Sequence, residues 1–368
     1  MRIIHCADLH LDSKLTAHLS GEKRKERKAE LLESFRRMVQ YGEKYQSEAI
    51  LIAGDLFDTN VVSQTAASTV RQIILDHPDM CFYYLKGNHD SLGIFHEAGQ
   101  VPDNLKLFSD SWQYFLQPSK KGQVVIAGAE LTKENQQALF QSLYLNQDGV
   151  NIVMLHGQEA EYKGQDQTAV IPLRELKNKG IDYLALGHVH FYKKGQLDAR
   201  GIWCYPGCLE GRGFDECGEH GFVLLDIDEE TGLCETEFIP FSCRNLYTLS
   251  VDVTGCTCTE EIGTCVEQKL DEAGYAARHM MKIVLIGELN LSCEKNLYLL
   301  KKRLEKRFYY LKIYDETKVC MDYSRLIAEE SLKGEYVRLI SGAMEIPEEE
   351  KSVLIRYGIQ ALSGEEME

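Results

Sequence analysis

Ala53-Gly54-Asp55-Leu56-Phe57-Asp58 is the stretch on which the reading of this chain turns. It closes the apolar run Ala49-Ile50-Leu51-Ile52-Ala53, whose length and bulk predict a buried strand. Gly54 lets the backbone turn sharply where the strand stops, and Asp55 then emerges at its carboxyl end. A carboxylate there can offer one oxygen to each of two cations. Gly-Asp-x-x-Asp is weak evidence by itself, because surface turns often contain it. Its weight rests on the residues at the ends of the other apolar runs.

Working outward, the same arrangement recurs. The run 2–6 leads into Asp8-Leu9-His10, and the run 81–85 into Gly87-Asn88-His89-Asp90. The run 151–155 ends at His156-Gly157, and the run 181–186 at Gly187-His188-Val189-His190. In open α/β sheets, ligands bind outside the carboxyl ends of the strands. Five loops distant in sequence are therefore expected to meet. The candidate ligands are Asp8, His10, Asp55, Asn88, His156, His188 and His190. Carboxylate, imidazole and amide oxygen together suit manganese, iron or zinc better than magnesium or calcium. Two ions need a shared ligand, and Asp55 is the natural bridge. Two ions ~3.5–4 Å apart can clamp a phosphoryl group between them. Each element alone has a plainer reading: a strand end, a turn, a hydrogen-bonded core histidine. Five of them in this order do not arise from those plainer readings together.

The rest of the chain sets bounds. It has 368 residues, 44% of them hydrophobic, enough for two domains with packed cores and a tail. No apolar run approaches the ~20 residues that span a bilayer. The start, Met1-Arg2-Ile3-Ile4-His5, goes directly into a strand with no leader, so a cytoplasmic protein with no membrane association is expected. The twelve cysteines are scattered and read as free thiols. A formal net charge of −16 opposes non-specific binding to nucleic acid by the whole surface, yet bound cations invert the local field. Residues 21–45 read as a helix with Leu31, Leu32, Phe35, Met38 and Val39 on one face. Its first half carries Lys23, Arg24, Lys25, Arg27 and Lys28, either a solvated face or a patch for a nucleic-acid backbone. Residues 63–76 read as a second helix. From about 244 a βαβαβ-like unit follows, with Thr257-x-x-Glu260 as a capping box and Gly274 closing the helix. Residues 321–368 read as two acidic helices broken at 342–347.

The set Asp8-x-His10, Gly54-Asp55-x-x-Asp58, Gly87-Asn88-His89-Asp90, His156-Gly157 and Gly187-His188-x-His190 resembles the signature of the calcineurin-like metallophosphoesterase superfamily. The opening Ala7–Ser13, the stretch 53–58 and Tyr205-Pro206-Gly207 resemble the SbcD-type DNA repair exonucleases. Gly211-Arg212-Gly213-Phe214 and Gly218–Phe222 are similar to the YhaO-like branch. Asp58-Thr59-Asn60 and Asp90 depart from the pattern of the Ser/Thr phosphatases. The resemblance implies an α/β metallophosphoesterase fold, two mixed β-sheets packed as a sandwich and flanked by helices. It implies a catalytic domain over 1–243, a small α+β capping domain over 244–320 and a helical tail over 321–368. It further implies a first metal on Asp8, His10, Asp55 and His190, and a second on Asp55, Asn88, His156 and His188. His89 would be the catalytic residue that is not a ligand, with Asp58 orienting it. Implied with these are two divalent ions, manganese first with iron or zinc as alternatives, and DNA phosphodiester hydrolysis in DNA repair. An SbcC-like coiled-coil ATPase partner and a homodimer through 63–76 are implied as well, although core packing would explain that helix equally. Two other functions stay open: a phosphoesterase of small molecules or nucleotides, and a partner-docking scaffold without catalysis.

Overall fold

A computed structural model of the chain describes residues 1–15, 19–58, 62–90, 101–119, 123–132, 134–160, 169–290, 293–320 and 323–363. Thr59, Asn60 and the last acidic residues, Glu365, Glu366 and Glu368, lie outside the described residues. The chain divides into two compact units, Met1–Tyr247 and Thr248–Glu368.

The first unit opens with β1 (Arg2–Cys6), α1 (Gly21–Lys44), β2 (Ala49–Ala53), α2 (Gln64–Leu75), β3 (Cys81–Leu85) and β4 (Leu105–Leu107). It continues through β5 (Gln113–Gln117), β6 (Val124–Gly128), α3 (Gln136–Ser142), β7 (Val150–His156), β8 (Gln158–Glu159), β9 (Val170–Ile171) and α4 (Leu173–Leu176). It ends with β10 (Tyr183–Gly187), β11 (Lys193–Gln196), β12 (Ile202–Tyr205), β13 (Gly221–Ile227) and β14 (Cys234–Pro240). Two six-stranded mixed sheets result, ordered β14-β13-β1-β2-β3-β4 and β11-β12-β10-β7-β6-β5. In each, four neighbouring strands are parallel: β1 to β4 in one, and β12, β10, β7 and β6 in the other.

Side-chain alternation explains the layering. In β2, Ala49, Leu51 and Ala53 point into a core shared with Ile126, Ile152, Met154 and Ala185 of the other sheet. Ile50 and Ile52 point the opposite way, onto Leu31, Phe35, Met38 and Val39 of α1 and Val70, Ile73 and Ile74 of α2. A strand buried on both faces must be apolar throughout, which is why β2 reads as an unbroken run. The outer face of the second sheet is closed by Leu139 and Phe140 of α3 and by Leu176 of α4. Each such side chain contributes ~1.5–3 kcal/mol by leaving water. Ser20 and Ser63 cap α1 and α2 by accepting from the amides of Lys23 and Ala66.

The expected strands, including the apolar runs 124–128, 203–205 and 222–227, and the two expected helices of this unit are present within a residue or two. β4, β5, β11 and β14, the outer strands, go beyond those expectations. β14 alternates half-buried and exposed residues and lacks an apolar run. The basic stretch of α1 is partly committed to the fold. The Arg27 side chain is 1% exposed and pairs with Glu210 and Glu30. Lys28 Nζ lies 3.2 Å from Asp12 Oδ1, and Arg24 donates to the Leu19 carbonyl.

After β14, β15 (Leu246–Asp252), all but its first two residues in the second unit, forms one sheet with β16 (Met280–Ile286) and β18 (Tyr310–Asp315), with β16 and β18 parallel. β17 (Glu288–Asn290) pairs with β19 (Lys318–Cys320). The helix Thr259–Ala273 ends at Gly274, whose φ of 67° is the left-handed conformation expected of a closing glycine. Its start differs from the expected capping box. The Thr257 amide and hydroxyl both bond Glu261 rather than Glu260, and the helix begins one residue later than that box implies, with Cys258 at its N-cap. A further helix spans Leu297–Leu304. The tail holds helices Tyr323–Ala328, Leu332–Ser341 and Glu348–Ser363, so the first expected helix is divided in two. Val337, Ile355 and Ile359 form a small core there. Among the described residues no helix is long and apolar enough to cross a membrane.

Candidate metal centre

The site is built from loops at the carboxyl ends of β1, β2, β3, β7 and β10. The loops after β1 and β2 zip together: Asp8 N–H donates to Gly54 O at 3.0 Å, and His10 N–H to Asp55 O at 2.9 Å. This pairing bends the backbone out of the extended region. Asp8, His10, Asp55 and His188 all have positive φ, at 51°, 44°, 51° and 98°. Such conformations in residues other than glycine cost on the order of 1–3 kcal/mol each and persist only where the surroundings impose them. Gly54 has no alternative. Its φ is 95°, and a Cβ there would lie 2.0 Å from His156 Nδ1. Asp90 clasps two of the loops, accepting from the amides of Leu56, Phe57 and Gly87.

The predicted ligands converge. Ligand atoms of Asp8, His10 and His190 lie within 4.8 Å of one another, as do those of Asp8, Asp55 and His156. Asp55 Oδ2 is 3.4 Å from His156 Nε2 and 3.8 Å from His10 Nε2, so one oxygen faces both groups. Asn88 Oδ1 is 3.0 Å from His156 Nε2. His188 stands edge-on to His156, with ring centroids 5.4 Å apart, and its amide donates to both oxygens of Asp8.

The histidines are oriented by their other nitrogen. His156 Nδ1 donates to the Ala53 carbonyl at 2.9 Å. His190 Nδ1 lies 2.7 Å from Glu216 Oε1, and His10 Nδ1 lies 3.1 Å from Asp58 Oδ1. A carbonyl or carboxylate can only accept, so in neutral His156 and His190 Nε2 carries a lone pair, whereas the His10–Asp58 approach is a close contact outside hydrogen-bond geometry. The His156 lone pair faces other acceptors, the Asn88 and Asp55 oxygens, and the His190 lone pair meets His10 Nε2 at 3.3 Å. Acceptors packed against acceptors call for a cation or a proton between them, and this donor set fits divalent transition ions. The electrostatics agree. Burial opposes charge on His156, but the Asp55 carboxylate outweighs it and pushes the imidazole up to about 9. Burial likewise opposes charge on Asp55, but His156 outweighs it and holds that carboxyl below the usual range.

Asp58, expected to orient His89, has no hydrogen bond to it among the described residues; it lies 3.1 Å from His10 Nδ1 and accepts from Ser13 Oγ at 3.0 Å and from Arg212 at 2.7 Å. The His10 imidazole beside it is the main cause that brings its carboxyl down to about 2. His89 is exposed. Its amide donates to Asp55 Oδ1, and its ring touches only the edge of His10, with no side-chain hydrogen bond among the described residues. Sequence reasoning assigned no role to Glu216 or Arg212. Gly211-Arg212-Gly213-Phe214 stood out as a pattern, but nothing local in it pointed to His190.

Two packed mixed sheets with a cluster of metal-competent acceptors at the strand ends define a metallophosphoesterase. The chain belongs to the calcineurin-like phosphoesterase family, which it matches over residues 1–192. It is 30% identical over 238 residues to the uncharacterized metallophosphoesterase YhaO of Bacillus subtilis, covering 62% of this chain and 57% of that protein. It is 23% identical over 288 residues to the DNA double-strand break repair protein Mre11 of Methanosarcina acetivorans, covering 74% of this chain and 44% of that one. The chain thus spans about half the length of these curated relatives. A crystal structure of a protein from Thermus thermophilus aligns with a TM-score of 0.42 and 14% identity, over 64% of this chain and 98% of its own.

Proposed function

We propose that this chain is a dinuclear metal-dependent phosphodiesterase that hydrolyses DNA, an SbcD-like nuclease of DNA repair. The observation that carries the metal reading is the cluster of inward-facing ligand atoms, with His156 Nε2, its Nδ1 committed to the Ala53 carbonyl, facing Asn88 Oδ1 at 3.0 Å and Asp55 Oδ2 at 3.4 Å. Asp8, His10, Asp55 and His190 would hold one ion, and Asp55, Asn88, His156 and His188 the other. When bound, such ions neutralise charge on a phosphoryl group and lower the pKa of attacking water. The chain's own part is to fix these ligands on strained, mutually bonded loops, so that little reorganisation accompanies reaction. His89 stands at the open edge with its ring unbonded among the described residues, placed to hand a proton to the departing sugar oxygen. The similarity to a protein named for double-strand break repair supports DNA as the substrate. The same reading assigns an SbcC-like coiled-coil ATPase, a homodimer and a cytoplasmic setting.

One observation favours a smaller substrate. Arg27 and Lys28, which would have served a DNA backbone, are engaged by Glu210, Glu30 and Asp12, and the net charge is −16. The test is to offer manganese-loaded protein an end-labelled DNA duplex, a model phosphodiester and a model phosphomonoester in parallel. Degradation of the duplex is expected. Turnover of the monoester with the DNA left whole would replace the nuclease reading by that of a small-molecule phosphoesterase.

A further inference from the structure

Arg212 stands between the two carboxylates that hold the histidines of one half of the centre. Its Nη1 is 2.7 Å from Asp58 Oδ1, and its Nη2 is 2.9 Å from Glu216 Oε1. Asp58 contacts His10 Nδ1, Glu216 bonds His190 Nδ1, and the Nε2 atoms of those rings meet at 3.3 Å. His10, Asp58, Arg212, Glu216 and His190 therefore close a ring. We infer that Arg212 is a positioning residue: it locks both carboxylates, through them sets both imidazoles, and so fixes the affinity of the metal position that His10 and His190 share.

Charge and geometry both ask for it. Without a cation between them, Asp58 and Glu216 would be free to turn away from the histidines or repel one another. A guanidinium reaches both at once because its nitrogens are fixed in one plane; an ammonium is a single point charge. The loop bearing Arg212 is itself held. Cys208 N–H donates to the His190 carbonyl at 3.1 Å, and Arg212 N–H closes on Glu216 Oε2 at 2.7 Å. Beneath it, His220 Nε2 donates to the Glu216 carbonyl at 2.8 Å, which leaves Nδ1 to accept from the Cys208 thiol at 3.2 Å. This loop lies beyond the residues matched to the family, 1–192, so that match does not by itself supply the ring.

The inference rests on the metal reading proposed above, and its test separates the two. The full-length protein, stripped of metal, is titrated with manganese by calorimetry, alongside Arg212→Gln and Arg212→Lys. The parent is expected to bind two ions. In Arg212→Gln one of the two sites should weaken by about 10–100-fold while the other is unchanged, the usual size of losing a residue that orients a ligand. Arg212→Lys should fall between. Circular dichroism and a thermal melt establish that each variant is folded. Should Arg212→Gln not fold, Asp58→Asn, which keeps the shape, must show the same selective loss. A folded variant that binds both ions like the parent, or loses both alike, overturns the inference and leaves the metal reading standing. A parent that binds no manganese overturns both.

Discussion

His89 and Gly54 show how single residues divide the labour at the centre. His89 contributes its backbone to the site, through Asp55, and its ring has no side-chain hydrogen bond among the described residues. In His89→Ala the bound metal should stay at the parent level while kcat on a model phosphodiester falls about 10²–10⁴-fold, the usual contribution of a positioned acid. Elemental analysis with steady-state kinetics checks this, and a parent-like rate would remove His89 from the mechanism. Gly54 acts through space alone. In Gly54→Ala the new Cβ lies on the His156 ring in a left-handed backbone, so His156 must leave the Ala53 carbonyl. The backbone strain alone should destabilise the fold by about 1–3 kcal/mol. Urea unfolding and metal content would report both effects, and unchanged values would mean that the turn relaxes freely. The same scale shows where local reading stops. Asp58 is one turn from Asp55 in sequence, yet its partner is His10, chosen by the pairing of the loops after β1 and β2.

Among the elements, α1 carries more than its apolar stripe. Its Arg27 is buried against Glu210, and Glu30 is bound by both Arg27 and Arg244, so the helix is pinned to distant segments by charge as well as by Phe35 and Met38. Burial opposes the Glu30 carboxylate, but the hydrogen bonds from Arg244 and Arg27 outweigh it, and its pKa is held below the ordinary value. A carboxyl depressed in the folded state stabilises it fully above the unfolded pKa, ~4.3, and that stabilisation is lost as pH falls through the folded value. Glu30→Gln should therefore cost about 1–3 kcal/mol at pH 7, and the gap to the parent should close on acidification below about pH 4. Chemical denaturation across that range tests it; a gap independent of pH would assign the effect to packing. The outer strands depend on tertiary context in a related way. Lys193-Lys194-Gly195-Gln196 has no apolar content, and only its pairing with β12 makes it a strand.

At the scale of the molecule, every candidate ligand and each residue that orients one falls within Met1–Tyr247. A fragment of residues 1–247 should therefore bind metal with the stoichiometry of the full chain and fold cooperatively. Calorimetric titration and a melting curve decide it, and loss of metal from a folded fragment would show that Thr248–Glu368 helps build the centre. What the amino-acid sequence by itself determined is the succession of doubly buried strands, each leading into residues able to hold a metal. That much is legible because burial on both faces forces contiguous apolar runs, and the ligands come directly after each strand end. The fold class rests on that succession together with the family resemblance. What only the tertiary structure decided is who holds whom: Asp58 on His10, Glu216 on His190, Arg212 across both, Asp90 as a clasp between loops. Those partners lie up to 154 residues apart in the chain, as Arg212 and Asp58 do. Hydrogen bonds between such groups are set by distance and direction in space, which leave no periodicity or spacing in the sequence to be read.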